Sequence, residues 1–122
     1  MRNYLLRKFR FLSELGYTVS EEGSETTYKC YYFEKDGIRV SVTYDYRQEY
    51  VNLRVKQWTE VLLETCGSCV VINSISWKAT DFLTSVKEIY SRRRGLSLTK
   101  AQRQQLIDMY AGYLYEVWMR SH

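Results

Sequence analysis

The stretch from Ile38 to Lys56 constrains this chain more than any other. Ile38, Val40, Val42 and Tyr44 alternate with Arg39, Ser41 and Thr43; after a polar break, Val51, Leu53 and Val55 alternate with Asn52, Arg54 and Lys56. A period of two sends successive side chains to opposite sides of a pleated strand, so the pattern specifies strands with one apolar and one polar face. Upstream, Thr26 to Phe33 is dense in Thr, Tyr and Phe, and Asp36-Gly37 supplies a tight hairpin turn before Ile38. The segment Asp45-Tyr46-Arg47-Gln48-Glu49 turns the chain again. Three strands joined by two tight connections make an antiparallel meander, whose apolar face requires a cover.

Helices are the available cover. Asn3 to Leu15 places Leu5, Phe9 and Leu12 on one stripe, and Gly16 is a natural stop because glycine enters the left-handed conformation without a steric penalty. Thr80 to Arg93 carries Phe82, Val86 and Ile89 at helical spacing, with Leu83 and Tyr90 beside them, and Gly95 ends it. Thr99 followed by Gln102 has the capping-box pattern and opens a last helix to about Arg120, with Ile107, Ala111, Leu114 and Trp118 on its central stripe and Tyr110 and Val117 flanking. The polar run from Ser20 to Glu25 reads as loop. Between Trp58 and Ser76 the favoured reading is a fourth strand around Cys69 to Asn73, with a helix beginning near Trp58 as the competing one. The expectation is one α+β domain over residues 1–122: an N-terminal helix, an antiparallel meander of three to four strands, and two C-terminal helices packed on the sheet.

Composition then excludes whole classes of function. The 122 residues are 45% hydrophobic and 26% charged, enough for one core and far from a disordered chain. The formal charge is +4, spread along the chain with one compact run, Arg92-Arg93-Arg94, which a helix C-terminus explains through its dipole. Dedicated nucleic-acid binders concentrate charge on one face, so nucleic acid is disfavoured as a partner. The first residues hold Arg2, Arg7, Lys8, Arg10 and Glu14 among their apolar neighbours, leaving no secretory apolar core, and no run approaches the roughly 20 apolar residues that span a bilayer. A cytoplasmic protein with no membrane role is expected. The odd set Cys30, Cys66 and Cys69 does not suit a secreted disulfide framework and argues for reduced thiols.

Little here can carry catalysis. Cys66-Gly-Ser-Cys69 has the spacing of a redox dithiol or half a zinc site, but the remaining ligands would have to be Cys30 and the terminal His122. The reading from the residues is therefore structural thiols, with no metal and no cofactor. His122 is the sole histidine and a poor general base at a chain end; Asp45 and Glu49 share a turn that explains them without chemistry. An enzyme is not expected. The strand tyrosines invite comparison with a base-stacking sheet, but the Gly-Phe/Tyr-rich RNA-binding pattern is missing. The turn itself is the better candidate: Asp45, Tyr46, Arg47, Glu49 and Tyr50 combine the residue types enriched at interaction hot spots at the tip of a hairpin, and are the candidate partner-binding residues.

Taken together, Phe9, Phe11, Leu12 and Leu15 running into Gly16-Tyr17, the Tyr-rich strand, Ile38-Arg-Val-Ser-Val-Thr-Tyr-Asp-Tyr-Arg47, Val51-Asn-Leu-Arg-Val55 and the terminal amphipathic helix resemble a group of small bacterial proteins. Some of these are immunity proteins of polymorphic or contact-dependent toxin systems. The resemblance implies a cytoplasmic, non-enzymatic protein, monomer or homodimer, that binds and neutralises a cognate toxin. Inhibitors of nucleases tend to be acidic, whereas this chain carries +4, so the resemblance points to a toxin that is acidic where it is contacted, or is not a nuclease.

Overall fold

In the computed structural model of the chain, residues 2–24, 26–47, 49–66, 69–72, 80–92 and 97–121 are described, at 69–72, 80–83 and 117–121 through the backbone alone. The class is α+β. Six strands, β1 (Thr18–Gly23), β2 (Tyr28–Lys35), β3 (Ile38–Asp45), β4 (Tyr50–Gln57), β5 (Glu60–Cys66) and β6 (Cys69–Ile72), form one sheet in sequence order with every neighbour antiparallel. The helical segments are α1 (Arg2–Lys8), α2 (Arg10–Glu14), α3 (Thr80–Ser91) and α4 (Lys100–Ser121).

The central strands follow their alternation. Val40 faces Val55 and Val42 faces Leu53 across β3 and β4, and all four are buried. Phe33 and Tyr31 extend the same face onto β2, opposite Val40 and Val42. The turn at Asp36-Gly37 is the anticipated one: both residues have positive φ, +50° and +80°, whose twist matches that of the flanking strands. α4 lies on β4, with α1 and α3 beside it, and buried Leu5, Phe9 and Leu12 of the N-terminal helical region, Val86 of α3, and Leu106, Ile107 and Leu114 of α4 complete the core. The capping box forms as the sequence predicts, with Gln102 N donating to Thr99 Oγ1 at 3.1 Å and Thr99 N to Gln102 Oε1 at 2.9 Å.

Three expectations are corrected. The sheet has six strands, not three to four. Ser20 to Gly23, expected as loop, belongs to edge strand β1. All six β1 residues are exposed, so no apolar alternation marks it; backbone pairing with β2 makes it a strand, and Glu21 is tied to Arg2 at 2.9 Å and to Lys29 at 3.5 Å. For the segment from Trp58 to Ser76, the strand favoured around Cys69 to Asn73 is present as β6 (Cys69–Ile72), whereas the competing helix from Trp58 is instead β5, where a register shift at Val55/Lys56 displaces the alternation from the simple pattern. The first helix is also divided: Phe9 takes φ −95° and ψ 13° with its ring 5.5 Å from that of Phe33. Gly16, with φ +96°, ends α2 as anticipated. Arg93, Arg94, Gly95, Gln48 and His122 lie outside the described residues, as do the side chains of Cys69, Phe82, Leu83, Val117 and Trp118. Among the described residues, no helix is long and apolar enough to cross a membrane.

Candidate functional site

The β3–β4 turn, singled out from sequence, is largely engaged in holding the fold. Asp45 Oδ1 accepts the Arg47 amide at 2.9 Å, and the Tyr46 amide donates to Thr27 O at 2.9 Å. The Tyr46 ring meets Tyr44 edge-on at 4.1 Å, and Tyr50 meets Tyr90 of α3 at 5.7 Å. Glu49 turns inward at φ +56°, where its carboxylate accepts the Tyr44 hydroxyl, and Arg103 of α4 reaches both, 3.4 Å from the hydroxyl and 3.9 Å from the carboxylate. Burial, then the Glu49 hydrogen bond, push the Tyr44 phenol up to about 12. Of the five residues, Arg47 is the most outward-facing; Glu49 and Tyr50 clasp the hairpin to the helical layer, while Asp45 and Tyr46 brace the turn and its neighbouring loop.

The polar side of the meander presents a different surface. Alternation sends Arg39, Ser41 and Thr43 of β3 and Asn52, Arg54 and Lys56 of β4 away from the helices, and strand pairing sets Ser41 opposite Arg54 and Thr43 opposite Asn52. Small side chains at the centre and long ones around them leave a groove of about 360 Å³, floored by Cys30, Ser41 and Thr43 and bordered by Tyr32, Arg39, Arg54, Lys56 and Cys66. The long side chains are braced. Arg39 pairs with Glu34 at 2.7 Å and lies 4.3 Å over the Tyr32 ring; Arg54 pairs with Glu64 at 2.9 Å; the Tyr32 hydroxyl donates to Glu22 at 3.0 Å. The Cys30 thiol, then burial and Glu22, raise the Tyr32 phenol above its ordinary range, so it stays a neutral donor. Lys56 makes no ion pair among the described residues.

At one end the groove runs into a second hollow of about 450 Å³ that shares Arg39 and Lys56 with it and is closed by Gly37 and Trp58. Trp58 departs from ordinary rules twice. It occupies the first position of a two-residue turn with φ +53°, a place that usually takes glycine, and it leaves 74% of its surface exposed. The neighbouring turn holds it: the Trp58 amide donates to Gly37 O at 2.8 Å, and the indole lies so close to Gly37 that any Cβ there would fall 2.4 Å from it. Sequence reading did not find this residue because the Trp58 segment carried no clear periodicity; the only signal was a tryptophan in the short polar run Gln57-Trp58-Thr59-Glu60.

Arg92, the described member of the arginine run, is exposed at the end of α3 and pairs with Glu88 one turn back. Among the described residues no group of three or more His, Cys, Asp or Glu is placed to hold a metal ion. No protein-family model, curated protein or solved structure matches the chain.

Proposed function

We propose that this chain is a non-enzymatic protein-binding module that engages its partner through the open face of the sheet, with Trp58 as the anchor. The exposure and strained turn position of Trp58 carry the reading. A bulky residue in the left-handed region costs on the order of 1 kcal/mol, and an indole that leaves 74% of its surface exposed offsets this only through its contact with Gly37. Buried against a partner, the same side chain has the properties of a hot spot, with Arg39 and Lys56 lining the same hollow. Its seat on Gly37 fixes the ring beforehand and lowers the entropy lost on binding.

The partner that fits is a protein presenting carboxylates, since Lys56 has no ion pair among the described residues and the chain as a whole is basic. The immunity-type resemblance agrees with this and makes the partner a toxin domain that is acidic at its contact surface. Arg47, exposed on the β3–β4 turn, would extend the contact at the far end of β3 and β4. Recognition of nucleic acid through the arginine run and strand tyrosines gains less support: Arg39, Arg54 and Arg92 are each neutralised by a glutamate, and Tyr32 is held by Glu22 and Arg39 rather than presented for stacking.

The test is in-cell photocrosslinking from position 39 or 56, identification of the linked protein, and calorimetry on the purified pair. Trp58→Gly should weaken binding at least tenfold, about 1.4 kcal/mol, while the melting temperature is unchanged or raised because glycine relieves the positive φ. Lys56→Glu should weaken it further at low salt. A partner whose affinity ignores both substitutions, or crosslinks that form equally from Glu116 on α4, would refute the proposal.

A further inference from the structure

The cysteines fall into two chemical situations. Cys30 is buried on β2, only 4% exposed, with its sulfur 3.0 Å from Thr43 Oγ1. Cys66 is an exposed free thiol at the end of β5. Cys69 opens β6, and the antiparallel register sets its Cα directly opposite that of Cys66, with two residues of sequence between them.

This topology leaves one feasible disulfide. Directly opposed residues of antiparallel strands have Cα atoms about 4.5–5.5 Å apart, inside the roughly 4.4–6.8 Å that a disulfide spans. Cys30 is three strands from Cys66 in the order β2, β3, β4, β5, hence roughly 14 Å away at the normal strand spacing, twice the reach of the bond. It is farther still from Cys69 on β6.

We propose that Cys66 and Cys69 are a reversible dithiol–disulfide site, closed by low-molecular-weight disulfides of the glutathione type. The Cys66 thiolate attacks one sulfur of oxidised glutathione, whose S–S bond breaks and releases one glutathione thiolate. The Cys69 thiolate then attacks the Cys66 sulfur of the mixed disulfide and expels the second glutathione. Two protein thiols are oxidised, one glutathione disulfide is reduced to two thiols, and the two thiol protons pass to the leaving groups. The loop closed by the bond is very short, so it restricts the unfolded chain little and adds little stability. A disulfide reached through the exposed Cys66 sulfur belongs to the readily reduced class rather than the permanent structural one. Cys66 also borders the open-face groove, which puts the redox site at the edge of that surface.

The experiment equilibrates the folded protein with graded ratios of reduced to oxidised glutathione, quenches in acid, alkylates the remaining thiols and maps tryptic peptides. The peptide Gln57–Lys78 should lose both alkylation tags and two hydrogens, and regain them as reduced glutathione is raised, while Cys30–Lys35 is alkylated throughout once unfolded. Cys69→Ser should stop at a glutathione adduct on Cys66. The closure constant should be at least tenfold larger for the folded protein than in guanidinium, because the strand register, and not sequence proximity alone, sets the two backbone positions opposite each other. Equal constants in the two states, a Cys30 crosslink, or a persistent glutathione adduct in the unsubstituted protein would overturn the proposal.

Discussion

The two faces of the central strands are built from alternate residues of the same segments, yet they are organised in opposite ways. On the helix side, Val40, Val42, Val51, Leu53 and Val55 are sealed from solvent. Where the described β4–β5 pairing ends at Arg54, side-chain hydroxyls take over the backbone of β4: Tyr110 donates to Val51 O at 2.6 Å, Tyr90 accepts the Val51 amide at 3.0 Å, and Thr65 Oγ1 accepts the Leu53 amide at 2.8 Å. Burial keeps the Tyr110 phenol far above its ordinary range, so it is a permanent donor. On the open side, arginines and tyrosines are braced by single ion pairs and hydrogen bonds in contact with water. The comparison teaches that stability and recognition can be assigned to different residues of one strand, so substitutions should separate them.

The largest effect should come from the sealed side. Leu53→Ala removes a fully buried side chain opposite Val42 and should lower unfolding stability by about 2–5 kcal/mol in a denaturant titration. A loss below about 1 kcal/mol would mean that the helices do not depend on this face. Tyr110→Phe is the finer probe. It keeps the ring and removes the donor to Val51 O, and should cost about 1–3 kcal/mol, with faster amide exchange along β4. The smallest effect belongs to the open side: Arg54→Ala breaks the half-exposed pair with Glu64 and should change stability by less than about 1 kcal/mol. If Arg54→Ala cost as much as Leu53→Ala, the division of labour between the faces would be wrong.

The parts legible in the sequence were those in which local pattern and tertiary environment agree. Alternation from Ile38 to Val55, the Asp36-Gly37 turn, the Gly16 stop and the Thr99/Gln102 cap each express a short-range physical requirement, and each appears where the pattern put it. β1 and β5 were not legible in this way. The first is exposed on every residue, and the second is offset by a register shift, so neither shows a clean period of two. The candidate site divided similarly. Hairpin residues 45–50 have the composition of a contact surface, but composition does not reveal that Glu49 and Tyr44 would turn toward Arg103.

The sequence by itself determined the α+β class and which residues of the two central strands face the core, because hydrophobic burial acts on every residue of a strand with a period of two. Only the tertiary structure decided the edge strand, the six-stranded extent of the sheet, the seat of Trp58 on Gly37 and the opposition of Cys66 to Cys69. These depend on backbone pairing and on the meeting of adjacent turns, and backbone groups are the same in every residue, so a side-chain pattern cannot announce where they will pair.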